Sequence, residues 1–212
     1  ILKKEFGYTG VVEYVPHHES HAAAAFYTSS FESAAVVTID GVGESDTTCI
    51  WRANETGLEL LATTIYPHSL GLLYSALTAY LGFKVNDEEY KVMALAALGD
   101  ASKVPQMSQL IDIHADGSYT LHMEFFSFRG GGRMWSNKLE VLLGAPRKPK
   151  DEIEDSHKNI AAALQLVLQK AVMAVTEHAY TLTSLQNICF GGGVALNAVA
   201  NGVVFADGKF ER

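Results

Sequence analysis

The spacing of apolar residues changes period several times along this chain, and each change marks a predicted element. Val11 to Val15 reads as a short buried strand closed by Pro16. An alanine-rich stretch, Ala22-Ala23-Ala24-Ala25-Phe26, then predicts a helix from the preceding histidines to about Thr28. Ala34–Ile39, Thr47–Arg52 and Leu58–Ile65 read as three consecutive strands. Gly41-Val42-Gly43-Glu44 and Asn54-Glu55-Thr56-Gly57 are read as the turns between them, and connections this short imply antiparallel neighbours. Ser69 is placed to cap a helix over Leu70–Leu81 with Gly82 at C′, and Asn86 to cap another over Asp87–Leu98 before Gly99. A hairpin is expected around Ala115-Asp116-Gly117, pairing Leu110–His114 with Ser118–Phe125.

The stretch Ser127 to Pro149 has no sustained period. It holds Gly130-Gly131-Gly132 and a short helix near Ser136–Leu143, and it reads as a loop or insertion. A long helix over about Asp151–Thr181 follows, with Ile160, Leu164, Val167, Leu168, Ala171, Val175 and His178 at helical spacing. Asn187–Phe190 is a strand that runs into Gly191-Gly192-Gly193 and a last helix reaching about Val204. Strands alternating with helices give an α/β fold class.

Composition narrows the picture. A chain of 212 residues with 48% apolar content is long enough for one large domain or two small ones with a sizeable core. A net charge of −8 with no basic stripe argues against nucleic acid as the partner. Cys49 and Cys189 are far apart and form no CxxC pair, which fits a reducing cytoplasm. No apolar run reaches the roughly 18 residues of a membrane span, so none is expected. The chain opens on Ile1 rather than Met, close to a strand, and reads as a piece of something longer.

The chemistry concentrates in His17-His18-Glu19-Ser20-His21. On a helix, residues four apart share a face, so His17 and His21 can point at one cation. Asp40, at the end of the next strand, supplies a carboxylate at the mouth of a glycine segment. Two imidazoles and a carboxylate suit a transition metal with open positions. Such a site is expected to weaken below about pH 6, where imidazoles take up protons. His18 is offset by about 100° on the helix and suits a supporting or surface contact, and Glu19 a first-turn acid.

A second signal is the strand–Gly191-Gly192-Gly193–helix junction, where backbone N–H groups can approach a phosphate. Asn197 follows, within reach of a sugar or base. The spacing is neither GxGxxG nor GxxxxGK[ST], and tight strand–helix packing explains such glycines equally well. Gly41 and Gly43 form another glycine segment of this kind. Ser69 to Gly71 could hold an anion or simply cap. Lys91 could reach a phosphate, although a solvated helix face is its plainer role. His114, His122 and His157 show no partner spacing, and His178 reads as a core or surface histidine of the long helix.

Five blocks carry a resemblance. They are Pro16-His17-His18-Glu19-Ser20-His21-Ala22-Ala23, Thr38-Ile39-Asp40-Gly41-Val42-Gly43-Glu44, Ser69-Leu70-Gly71-Leu72-Leu73-Tyr74 with Leu81-Gly82-Phe83, Glu89 through Ala96, and Gly191-Gly192-Gly193-Val194-Ala195-Leu196-Asn197. In this order they resemble the O-carbamoyltransferases of nodulation, cephamycin and aminoglycoside chemistry. The family is similar to tRNA threonylcarbamoyl-adenosine synthases and, more remotely, to actin-like ATPases and sugar kinases. The resemblance implies that residues 1–212 are the central part of a duplicated nucleotide-binding domain with mixed sheets flanked by helices. First-lobe strands are expected before it and a carbamoyl-phosphate domain after it.

It further implies iron(II), or another divalent metal, on His17, His21 and Asp40, with one more aspartate beyond Arg212. ATP and carbamoyl phosphate would give a carbamoyl adenylate, and its carbamoyl group would pass to a hydroxyl of a small acceptor. Without its flanking parts the chain is expected to be inactive and to bind metal and nucleotide weakly. Ala94 stands where the family favours glycine, and Ala97-Leu98 replaces a Pro-Tyr pair. Three other readings stay open: a tRNA threonylcarbamoyl transferase, for which glycine rather than Ser20 would be usual; a metallohydrolase on the same ligands; and a non-catalytic metal-binding module.

Overall fold

A computed structural model describes residues 1–129 and 132–211. Its centre is a four-stranded mixed sheet in the order β3-β2-β1-β6. Strands β1 (Ser33–Gly43), β2 (Asp46–Asn54) and β3 (Gly57–Ile65) form an antiparallel meander, and β6 (Ile188–Gly191) lies parallel to β1 on its other side. A two-stranded hairpin of β4 (Ile111–Ile113) and β5 (Tyr119–Leu121) stands apart from it. The two glycines Gly130 and Gly131, singled out in the irregular stretch, lie outside the described residues.

Alternation along β1 builds two apolar layers. Ala35, Val37 and Ile39 face helix α3 (Leu70–Tyr80) and the long helix α6 (Asp155–Thr183), whose Leu164, Leu168 and Val172 are buried there. Ala34 and Val36 face the opposite way, against Ala22 and Phe26 of helix α2 (His17–Tyr27). On α3, Leu70, Leu73 and Leu77 have no exposed surface, and each contributes about 1.5–3 kcal/mol through removal from water. Helix α6 is long and apolar enough to cross a membrane. Yet 61% of that apolar window is buried within the fold, as expected of a core helix.

Several expected boundaries move. Val11 to Val15 is not a strand: these residues find no strand partner among the described residues, and Val11 is 82% exposed. Before them comes a short helix α1 (Leu2–Phe6) with no buried residue. The β1–β2 turn is Glu44-Ser45 rather than Gly41–Glu44, with Glu44 at a positive φ of 50°. Asn86 does not cap the next helix. The Glu89 carboxylate instead folds back to accept the N–H groups of Asn86 and Asp87, at 2.8 and 3.0 Å, and α4 shortens to Glu89–Ala96.

Helix α5 (Asn137–Leu143) begins at Ser136 as its spacing predicts. Helix α6 begins later than expected, because Glu154 and His157 close a reciprocal cap at its start. A 3-10 turn, Gly193–Leu196, separates β6 from the last helix α7 (Ala198–Asp207), which Asn197 caps.

Candidate metal centre

Helix α2 lies across the sheet with two histidines on one side of its first turns. The register of β1 against β2 breaks after the Ile39–Thr48 pair and resumes at Gly43–Asp46, so three residues of β1 oppose one of β2. Such a bulge re-aims side chains. Here it falls on Asp40-Gly41-Val42, and Asp40 turns toward α2.

The result is a tight triad. Asp40 Oδ2 lies 3.1 Å from His17 Nε2 and 2.9 Å from His21 Nε2, and the two ring nitrogens are 3.0 Å apart. The three side chains are half-buried, at 38%, 34% and 25% exposure for His17, His21 and Asp40. Burial alone would push the Asp40 carboxyl up. The Gly41 N–H, donating to Oδ1 at 2.7 Å, and the two imidazoles outweigh that and hold it below its ordinary value.

At these separations an imidazole N–H can donate to the Asp40 carboxylate, and with both ring nitrogens deprotonated the three atoms can instead serve one cation. The three donor atoms lie close enough together to serve one ion, as a two-histidine, one-carboxylate set. The residues present fit the ion.

The helical offset of His18 predicts a supporting or surface contact. The residue is buried, and it anchors α2. Its Nδ1 accepts from the Thr38 hydroxyl at 2.8 Å and its Nε2–H donates to the Asp46 carbonyl at 3.0 Å, while Trp51 Nε1–H donates to the same threonine oxygen at 3.3 Å. Burial pushes the His18 imidazolium down in pKa, so the ring is held neutral.

The glycines assigned to a cofactor gather around the triad. A Cβ on Gly43 would clash with the His17 side chain, 2.3 Å from the nearest ring carbon. One on Gly71 would lie 2.6 Å from the Asp40 carbonyl, one on Gly191 2.9 Å from the His21 carbonyl oxygen, and one on Gly193 3.1 Å from Asp40 Oδ1. Gly41 alone of these has room to spare. These glycines therefore let α2, α3 and the β6–α7 link close on the three ligands. Asn197 is buried, and its carboxamide exchanges hydrogen bonds with Gln165 and accepts from Ala200 N–H.

Lys91 is paired with Glu88. His114, His122 and His157 bond Thr120, Asp112 and the Glu154 backbone, well apart from the triad in sequence.

Ser69 joins α3 to the site. Its oxygen accepts from Leu72 N–H at 3.0 Å, and its hydroxyl hydrogen goes to the Gly41 carbonyl at 2.6 Å, with the Asp40 carbonyl at 3.1 Å. Ser69→Ala removes the cap and this tether together, so a loss of about 1–2 kcal/mol is expected in urea unfolding. Beside Asp40 opens a cavity of about 650 Å³ running between α3, α4 and the Gly193–Leu196 turn. Sequence reading missed it, because its Tyr74, Tyr90 and Met93 carry no spacing that separates a cavity wall from ordinary packing.

The family model described as "Carbamoyltransferase N-terminus" matches residues 2–212. The uncharacterized protein sll1178 of Synechocystis is 45% identical over 92% of this chain and 32% of its own length. Nodulation protein NolNO of Sinorhizobium fredii is 33% identical over 100% of the chain and 30% of its own length. Nodulation protein NolO of Bradyrhizobium diazoefficiens is 32% identical over 92% and 34%. The chain spans about a third of the length of these relatives.

Proposed function

Because this chain belongs to the carbamoyltransferase N-terminal family, we propose that it forms the metal- and nucleotide-binding part of a longer enzyme that carbamoylates a hydroxyl of a small molecule. The observation that carries this reading is the convergence of His17, His21 and Asp40 to about 3 Å. These residues would hold a divalent ion, iron(II) first among the candidates, which would supply positive charge for phosphate or carbamoyl oxygens.

Water would cleave carbamoyl phosphate to carbamate and phosphate, and the carbamate oxygen would attack the α-phosphorus of ATP, expelling pyrophosphate and leaving a carbamoyl adenylate. The acceptor oxygen attacks the carbamoyl carbon and a new C–O bond forms. The bond from that carbon to the AMP phosphate oxygen breaks, AMP departs with the electron pair, and the hydroxyl proton passes to a base or solvent.

Within the chain, the Asp40-Gly41 backbone and the Gly191–Gly193 link are the parts close enough to the ligands to receive nucleotide phosphates. The mixed sheet with helices on both faces would be one part of a duplicated actin-like fold. Buried free thiols at Cys49 and Cys189 suit a reducing cytoplasm.

The full-length protein tests the reading. Reconstituted with iron(II), it is expected to retain one ion at this site and to release pyrophosphate from ATP only when carbamoyl phosphate is added. Pyrophosphate release indifferent to carbamoyl phosphate would overturn the transfer reaction, and failure to retain the ion would overturn the metal centre.

A further inference from the structure

We propose that Glu44 is a positioning residue of the metal centre: from the β1–β2 turn it holds the first amide of α2, and through it the His17 ring, in place for the ion. This rests on the metal-binding reading above and adds to it a residue outside the His17, His21 and Asp40 set.

Helix α2 starts without a cap of its own. Pro16 stands at the N-cap position and offers no side-chain acceptor to the first turn. The His17 N–H donates instead to Glu44 Oε2 at 3.2 Å, across 27 residues of sequence. The residue whose main chain is held is thus itself a ligand. Neighbours of Glu44 grip the same end of the helix. Gly43 leaves room for the His17 ring, and the Asp46 carbonyl accepts from His18 Nε2–H at 3.0 Å. A carboxylate at this helix end also meets the positive end of the α2 dipole.

Glu44 is held in a conformation that glutamate disfavours. Its φ of 50° lies in the left-handed region, where glycine is at ease and a residue with a Cβ is strained. What glutamate brings to the turn is its carboxylate. Among the described residues that carboxylate makes one hydrogen bond, to His17 N–H, and no ion pair. The strain therefore serves the contact with α2. Because Glu44 is exposed, water weakens the bond, and the expected effect is tenfold rather than a hundredfold.

Cobalt(II) titration of the full-length protein, followed by visible absorption, reads affinity and ligand arrangement together. Glu44→Ala keeps the strained backbone and removes the acceptor, so binding should weaken about tenfold and the visible bands should change. Glu44→Gly should weaken it equally, yet its thermal midpoint should match or exceed the wild-type value because the backbone is eased. Glu44→Gln keeps an acceptor oxygen without the charge, and should return the wild-type bands with affinity within about threefold.

Wild-type affinity in both Glu44→Ala and Glu44→Gly overturns the proposal. So does weakening in Glu44→Ala alone, which would trace the effect to the backbone of the turn. Equal weakening in Glu44→Gln would trace it to charge, and a Glu44→Gly protein that loses stability along with affinity would make the residue merely structural; either result overturns the proposal. If wild-type protein binds cobalt(II) and no variant differs from it, only the role of Glu44 fails. If wild-type protein binds none, the metal centre fails and this role goes with it.

Discussion

Asp40→Asn in the full-length protein is expected to empty the metal centre and to lower carbamoyl transfer by about 100-fold or more, with little change in folding. The asparagine keeps an oxygen for the Gly41 N–H, now accepted at 2.7 Å. Its new NH2 faces the two ring nitrogens that lie 2.9 and 3.1 Å from Oδ2 and can donate to either. What disappears is the negative charge, the one anionic ligand among the three. Metal analysis of the purified variant, beside a thermal melt, separates the two effects. Wild-type metal content in a well-folded Asp40→Asn protein would show that the triad is not the site.

The largest stability loss is expected at Gly192. Its φ of 88° with ψ of 171° is a backbone region held almost only by glycine, and an added Cβ would press on the Ile39 carbonyl. That neighbour is main chain in the centre of the sheet and cannot rotate away. Strain and overpacking together give a cost of about 3 kcal/mol for Gly192→Ala. Gly202 makes the comparison informative. It lies inside helix α7, and an added methyl group there would have nothing within 4 Å. Gly202→Ala should therefore stabilise the protein by about 0.5–1 kcal/mol. Urea unfolding midpoints that move in opposite directions bear this out; equal shifts would refute it.

Much of this arrangement is legible in the residues. The alternation in Ala34–Ile39 gives both apolar faces of β1, and the periodic leucines and valines of α6 are buried as their spacing predicts. The four-residue separation of His17 and His21 is local helix geometry, so their shared aim needs no tertiary information. The alignment of Asp40 with them does. It depends on a bulge whose position follows from how β2 pairs with β1, and Gly41 and Gly43 read as a turn from sequence alone.

His18 illustrates the same limit: its partners, Thr38 and Asp46, are 20 and 28 residues away. The strand expected at Val11–Val15 does not form for a related reason. A run of apolar residues specifies a strand only when another edge is present to receive its N–H and C=O groups.

Helix α2 brings two of the three ligands, while β1 brings the third. An ion at this point would therefore work as a cross-brace, riveting the start of a helix to the rim of a sheet. The residues ahead of Pro16 make little use of the core, so the rivet lies at the boundary between the packed body and its leading segment. Loading or emptying it should be felt first there, as faster amide exchange in the opening turns of α2, ahead of any change in the central strands.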